Sequence, residues 1–267
     1  MSMSDDGLSF IPTKEYRRFE EFCGACRRER YIGLCYGPPG VGKTVSARRY
    51  ARWDLLEGRD PLAVGDAVPV EVAECRSLLY TPPVTNTPRT VRASLDDGLF
   101  LLRGLVSRTQ KAAKRRGKPV TNAVCELVII DEADRLSTQS LEELRDHYDR
   151  GGIGLVLVGM PGLEKRLARY PQLYSRVGFA HAFRPLSQDE ARFVLEQHWQ
   201  GWGGTLRQNE FADQEAIAAV ISVTAGNFRL IDRLMSQVRR IKELNQIQTV
   251  TREVVEAARD CLVIGTA

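Results

Sequence analysis

Eight consecutive residues, Gly37, Pro38, Pro39, Gly40, Val41, Gly42, Lys43 and Thr44, fit the phosphate-binding pattern G-x-x-x-x-G-K-[ST] at every fixed position. Glycines let the backbone wrap closely round a phosphate, where a β-carbon would collide. The loop's N–H groups and the N-terminus of the helix after it then converge on one anion. Lys43 is placed to reach β- and γ-phosphates, and the Thr44 hydroxyl to ligate Mg²⁺. All eight residues are therefore candidate contacts for a nucleoside triphosphate. Downstream, the apolar run Leu127-Val128-Ile129-Ile130 ends in Asp131-Glu132. Ligands of open α/β sheets collect at the carboxyl ends of strands, so Asp131 is expected to hold Mg²⁺ directly or through water. Glu132, beside it, is placed to polarise an attacking water as general base. The plainer alternatives are a Gly/Pro turn before a helix and two exposed acids in a turn. They leave unexplained why both motifs follow apolar strand-type runs.

Those side chains need a strand before each motif, and the sequence supplies them. Tyr31–Tyr36 precedes the phosphate loop as a short apolar run, and residues 45–53 read as the helix after it. Ser77–Tyr80 reads as a second strand, 126–130 as a third, Gly154–Gly159 as a fourth and Phe179–Phe183 as a fifth. Helices are expected at about 89–108, from a Ser137 cap through Leu141, Leu144 and Tyr148, and at about 163–168. Residues 81–88, with Pro82, Pro83 and Pro88, cannot be regular structure, because proline removes a donor and blocks helix. Strands alternating with helices predict a parallel five-stranded sheet covered on both faces. After Pro185 the strand signal stops. Ser187 and Glu190 form a capping box, and further helices are expected from Asp213 to Gly226, from Phe228 to Leu244 and from a Thr251 cap to about Leu262. The expected organisation is a tail and amphipathic helix over 1–30 with a Thr13 cap, an α/β nucleotide-binding domain over 31–186, and a small all-helical lid domain over 187–267.

The 267 residues are 43% hydrophobic and 27% charged, an ordinary globular composition, with a net charge of only +4. No apolar run approaches a membrane span, and residues 1–10 lack a signal peptide's basic start and apolar stretch. No membrane partner is expected, and the expected compartment is the cytoplasm or nucleoid of a prokaryote. Cys23 and Cys26 have metal or redox spacing but no second ligand pair. They share a helical stripe with Tyr16, Phe19 and Phe22, which predicts core packing.

With both motifs and the helical lid in view, the chain resembles the AAA+ ATPases over roughly residues 31–262. The resemblance implies ATP and Mg²⁺ as cofactors, with Lys43, Thr44, Asp131 and Glu132 as the machinery. It also implies rings or helices of subunits with ATP at their boundary and an arginine donated in trans. Arg176, in Gln172-Leu173-Tyr174-Ser175-Arg176, matches that place, with Arg169 as the rival. Gly226-Asn227-Phe228-Arg229 resembles the lid motif that sets an arginine, Arg229, on the phosphates of its own subunit. One departure stands out. The family often carries a polar water-orienting residue at the end of the fourth strand, where this chain has Gly159-Met160. Slow hydrolysis without a partner is expected.

The segment Met160-Pro161-Gly162-Leu163-Glu164, then 171–176, together with Thr87-Pro88-Arg89-Thr90 after the Pro-rich stretch, resembles the TniB/TnsC/MuB-type transposition regulators. That resemblance implies ATP-dependent assembly on duplex DNA, target selection and recruitment of a transposase. Independently, residues 103–118 carry Arg103, Arg108, Lys111, Lys114, Arg115, Arg116 and Lys118 with no acidic residue. With Arg89 and Arg92 upstream, this segment could follow a phosphate backbone without reading bases. A solvated helix end is the bland alternative for a charge run. An initiator or helicase-loader ATPase, or a signalling or remodelling oligomer that does not bind DNA, remains as the alternative function.

Overall fold

A computed structural model describes residues 10–63, 67–115, 125–199 and 211–262, without the side chains of 112–115. In chain order its first half contains α1 (Lys14–Glu29), β1 (Ile32–Tyr36), α2 (Lys43–Ala51), β2 (Ser77–Tyr80), α3 (Pro88–Arg115), β3 (Leu127–Ile130) and α4 (Thr138–Gly151). Next come β4 (Gly154–Gly159), α5 (Leu163–Leu167), α6 (Pro171–Tyr174) and β5 (Val177–Ala182). Last are α7 (Gln188–His198), α8 (Phe211–Thr224), α9 (Phe228–Asn245) and α10 (Arg252–Asp260). The five strands form one parallel sheet in the order β2-β3-β4-β1-β5. The sequence expectation of a parallel α/β sheet followed by helices describes this architecture. Three elements differ from the expectation, the first being β5, which starts at Val177 and ends at Ala182 rather than spanning Phe179–Phe183. α3 runs seven residues further than residue 108, because Lys111, Ala112 and Ala113 continue good helix formers. α6 is a single turn started by Pro171 at its first position.

The chain divides into two compact units, which are not consecutive stretches. The first holds Arg18–Pro38 and Lys43–Phe183. Its core lies between sheet and helices: Leu34, Val128, Ile130, Leu155 and Leu157 from the strands meet Val91, Leu95 and Leu102 of α3 and Leu141 and Leu144 of α4. β3 and β4 are buried along their whole length, which explains their unbroken apolar runs. α1 closes over β1, with the Cys26 thiol and the Phe22 ring directly above Gly33 and Phe22 stacked on His181 at 5.5 Å. Cys23 and Cys26 are fully buried here, and among the described residues no His/Cys/Asp/Glu cluster could hold a metal. Burial pushes the Cys23 thiol well above its ordinary pKa and the Cys26 thiol up to about 12.

The second unit holds Pro39–Gly42 with the described residues 10–17 and those from 184 to 262. Val194, Leu195, Trp199, Ile217, Val220, Leu234, Met235 and Val255 form its core. The Ser187–Glu190 capping box is complete, and Glu190 also accepts the Lys14 N–H at 2.9 Å. Thr251 occupies the N-cap position of α10, but its side chain makes no capping bond. Among the described residues no helix is long and apolar enough to cross a membrane.

Candidate nucleotide site

β1 delivers the chain to the phosphate loop beside the end of β4, where the Gly37 N–H donates to the Gly159 carbonyl at 3.3 Å. α2 opens on Lys43 and Thr44, so the loop's last residues are the first turn of a helix, whose N–H groups have no partner within it. The Lys43 ammonium donates to the carbonyls of Gly37 at 2.6 Å and Pro38 at 2.7 Å. A cation is thereby held inside the loop's own curve. Gly42 has φ +105° and Gly40 has φ +81°, a backbone region that side chains disfavour.

Asp131 begins where β3 ends and is only 3% exposed. Its N–H donates to the Tyr80 carbonyl at 2.9 Å, which fixes the residue to the end of β2. Burial pushes its carboxyl above the usual carboxylate range. The neighbouring Thr44 hydroxyl, the Glu132 N–H that donates to it at 3.0 Å and the nearby Lys43 charge oppose that shift, while the Glu132 charge adds to it. The carboxylate singled out as a Mg²⁺ ligand in the sequence is thus buried in the neighbourhood of the Thr44 hydroxyl and the lysine.

Glu132 has φ 52° and ψ 43° and starts the 3₁₀ turn Ala133–Arg135. A left-handed conformation at a residue with a side chain costs about 1–3 kcal/mol. It is maintained by the turn it opens. The Glu132 carboxylate pairs with Arg135, three residues on.

At the end of β4 the expected absence of a polar side chain has a structural counterpart. The Asp134 carboxylate accepts the Met160 N–H at 2.7 Å. A β-carbon on Gly159 would lie 2.4 Å from the same Asp134 oxygen. An acid from the turn after β3 therefore fills the volume that a side chain on β4 would have taken. The fourth residue of Asp131-Glu132-Ala133-Asp134 was visible in the sequence, but nothing local said that it reaches a neighbouring strand.

Within the helical unit, Arg229 stands in the first turn of α9. Its N–H donates to the Gly40 carbonyl at 3.0 Å, and its side chain is exposed. Asn227 caps α9 by accepting the Leu230 N–H and donates from Nδ2 to the Pro39 carbonyl at 2.8 Å. A β-carbon on Gly40 would lie 2.5 Å from Asn227 Oδ1, so glycine is required there by space as well as by φ. Asn227 was quoted in the lid motif without a role, and its bond to the loop is the signal that was missing.

Arg176 sits at the other end of the sheet. Its carbonyl accepts the Ile32 N–H at the start of β1, and the five residues of β1 put about 16 Å between that point and the loop at the strand's far end. Its guanidinium grips Asp149 bidentately, at 2.6 and 2.9 Å, and donates to the Gln172 carbonyl. Arg169 is exposed. The structure therefore does not bring Arg176 to the phosphate loop of its own chain.

Of the basic residues, Arg89 and Lys111 are exposed on α3. Arg92 turns to α4 and pairs with Glu143 at 2.5 Å and Asp146 at 3.5 Å. Arg108 donates to the carbonyls of Asp60 and Pro61. Lys114 and Arg115 close α3 with undescribed side chains, and Arg116 and Lys118 lie outside the described residues.

Comparison with known proteins agrees with this geometry. A protein family described as an AAA domain matches residues 26–167. A "Potential ATP-binding protein" of Staphylococcus aureus is 44% identical over 96% of this chain and 97% of its own. The Mu-like prophage FluMu DNA transposition protein B of Haemophilus influenzae is 32% identical over 84% of this chain and 70% of its own length. Among solved structures, the Thermotoga maritima RuvB Holliday junction branch migration motor superposes with a TM-score of 0.60 over 94% of this chain and 70% of its own; at 16% identity that likeness concerns the fold. With the phosphate loop, the buried Asp131 and the parallel sheet in place, the chain belongs to the AAA+ ATPases and is related to the Mu-like transposition proteins B.

Proposed function

We propose that the protein is a Mg²⁺-dependent ATPase that assembles on duplex DNA and regulates transposition, by selecting a target and recruiting a transposase. The observation that carries the nucleotide chemistry is the placement of Lys43 on the loop carbonyls and of the buried Asp131 at the carboxyl ends of β1 and β3. The loop's backbone and Lys43 bind and orient the phosphates. Thr44 and Asp131 would hold Mg²⁺, which would supply neutralisation of phosphate charge. Glu132 accepts a proton from the attacking water. Arg229 faces the phosphates of its own chain, and Arg176 leaves Asp149 to neutralise phosphoryl charge on a neighbouring subunit, in a ring or helical filament. Gly159 leaves water orientation to neighbouring groups, so hydrolysis is slow until a partner binds.

The DNA reading rests on the relationship to transposition protein B and on the basic end of α3. Twenty-two residues of helix separate Arg89 from Lys111, about 33 Å at the helical rise, so the contacts would track a backbone rather than converge on one phosphate. Binding is expected to be sequence-independent and to weaken as salt rises. Electron microscopy with ATP, with and without duplex DNA, tests the whole reading: DNA-dependent filaments or rings support it, and ATP-driven assembly indifferent to DNA refutes the DNA part. Replacing Lys111, Lys114, Arg115 and Arg116 with Glu should abolish ATP-dependent DNA binding and leave nucleotide binding intact; unchanged DNA affinity would remove this segment from the interface.

A further inference from the structure

β4 ends without a polar side chain of its own, yet a carboxylate stands where one would be. Asp134 Oδ2 lies 2.4 Å from the position of a β-carbon on Gly159 and accepts the Met160 N–H at 2.7 Å. Its Oδ1 makes no bond among the described residues. Gly159 is also the residue whose carbonyl accepts the Gly37 N–H, so this half-buried carboxylate adjoins the strand end that meets the first residue of the phosphate loop. The backbone of Asp134 is pinned as well. Arg166 of α5 donates from Nη1 to the Asp134 carbonyl at 2.8 Å and from Nη2 to the Leu136 carbonyl. A guanidinium presents its donors in a fixed fork, so one side chain grips two carbonyls of the segment after β3. The neighbouring acids differ: Asp131 is buried, and Glu132 is paired with Arg135.

We propose that Asp134 is the water-orienting group of this site, standing in for the polar side chain that β4 lacks. The inference rests on the reading of the site as one that hydrolyses ATP. An ionised carboxylate accepts hydrogen bonds at both oxygens and donates none. One oxygen can therefore stay on the Met160 N–H while the other accepts from the attacking water. The group has no proton to offer a phosphate oxygen, and its charge repels one. A single residue then accounts for two properties at once: the water is held, and turnover stays slow. Gly159 is the complement that makes room, because a β-carbon there would displace the carboxylate.

Two measurements on the full chain test this. In steady-state kinetics Asp134→Ala should lower kcat by about 10²-fold at unchanged KM, the scale of a misplaced reactant. Asp134→Asn, which keeps an acceptor for Met160 and gains a donor, should turn over at least as fast as wild type. Adding Gly159→Asn to Asp134→Ala returns an amide to the end of β4 and should recover roughly ten-fold of the lost turnover. Gly159→Asn alone, set against Asp134, should melt lower than the double variant. A residue that merely pinned the Met160 N–H would lose melting temperature rather than kcat, and Gly159→Asn would restore no turnover. The second measurement needs no turnover: affinity for ADP with aluminium fluoride and Mg²⁺, in which the fluoride stands in for the phosphoryl group in transit. Asp134→Ala should weaken that complex by about ten-fold or more and leave the affinity for ADP alone unchanged. An unchanged fluoride complex in folded Asp134→Ala overturns the assignment, and so does an unchanged kcat. Should Asp134→Ala fold poorly, Arg166→Ala carries the test, with the same losses in weaker form. A wild-type protein that binds the fluoride complex without turning over ATP would remove hydrolysis from the proposed function, and the fluoride affinities would still decide the place of Asp134.

Discussion

At the carboxyl ends of β1, β3 and β4 the polar side chains are held by backbone and by one another. Lys43 lies on two loop carbonyls, Asp131 is buried and accepts the Glu132 N–H, and Asp134 bonds the Met160 N–H. At the amino ends of the same sheet, Arg176 belongs to a half-exposed chain of charges: Asp149 binds both Arg176 and Arg145, and Arg145 binds Glu142. The first arrangement fixes two of its charges, Lys43 and Asp131, in low dielectric, where each is costly to rearrange. The second holds charges that solvent screens and that can change partners at small cost. Chemistry fits the first end, and contact with another subunit fits the second.

Breaking this contrast is possible by mutation. The largest effect is expected from Arg176→Ala, which should reduce ATP turnover by about 10³–10⁵-fold, the scale of an arginine donated in trans. Mixing it with Lys43→Ala, itself unable to bind nucleotide, should restore activity, because some boundaries then pair an intact loop with an intact arginine. No recovery on mixing would mean that Arg176 acts only within its own chain. Glu132→Gln should slow turnover by about 10²–10⁴-fold while retaining nucleotide, measured by single-turnover hydrolysis beside a binding isotherm.

Asp131→Asn should separate stability from function at the buried end. A carboxyl whose folded pKa is raised destabilises the fold once pH passes its unfolded value, and the whole loss is present above the raised pKa. At neutral pH the uncharged variant is therefore expected to melt higher without nucleotide, yet to lose the gain in melting temperature that ATP and Mg²⁺ give the wild type. A lower melting temperature for the bare variant would show that the bonds to the charged carboxylate outweigh its burial. The smallest effect is expected from Asp149→Asn, within about 1 kcal/mol of wild-type stability by denaturant titration; a loss of several kcal/mol would make the amino-end network structural.

Much of the fold was legible because its signals are local. Buried β3 and β4 show as unbroken apolar runs, Ser137 and the Ser187–Glu190 box mark helix starts, and prolines 82, 83 and 88 mark the irregular loop. The phosphate loop was legible for the same reason, since its spacing lies within eight residues. What stayed hidden depends on elements distant in sequence. Asp134 beneath Gly159, Arg176 on Asp149, Arg135 on Pro82 and Asn227 on Pro39 each join residues 25 or more apart. The left-handed turn at Glu132 is equally invisible, because no glycine announces it.

The Arg176–Asp149 pair has a consequence for reversibility. On the proposed reading, a subunit entering an assembly exchanges an internal partner for a phosphate across the boundary, and a subunit leaving regains the partner it gave up. Neither direction strands an uncompensated guanidinium. The association constant is then governed by what occupies the phosphate loop rather than by the charge network itself, and a polymer with such joints can grow and shrink with the state of its nucleotide.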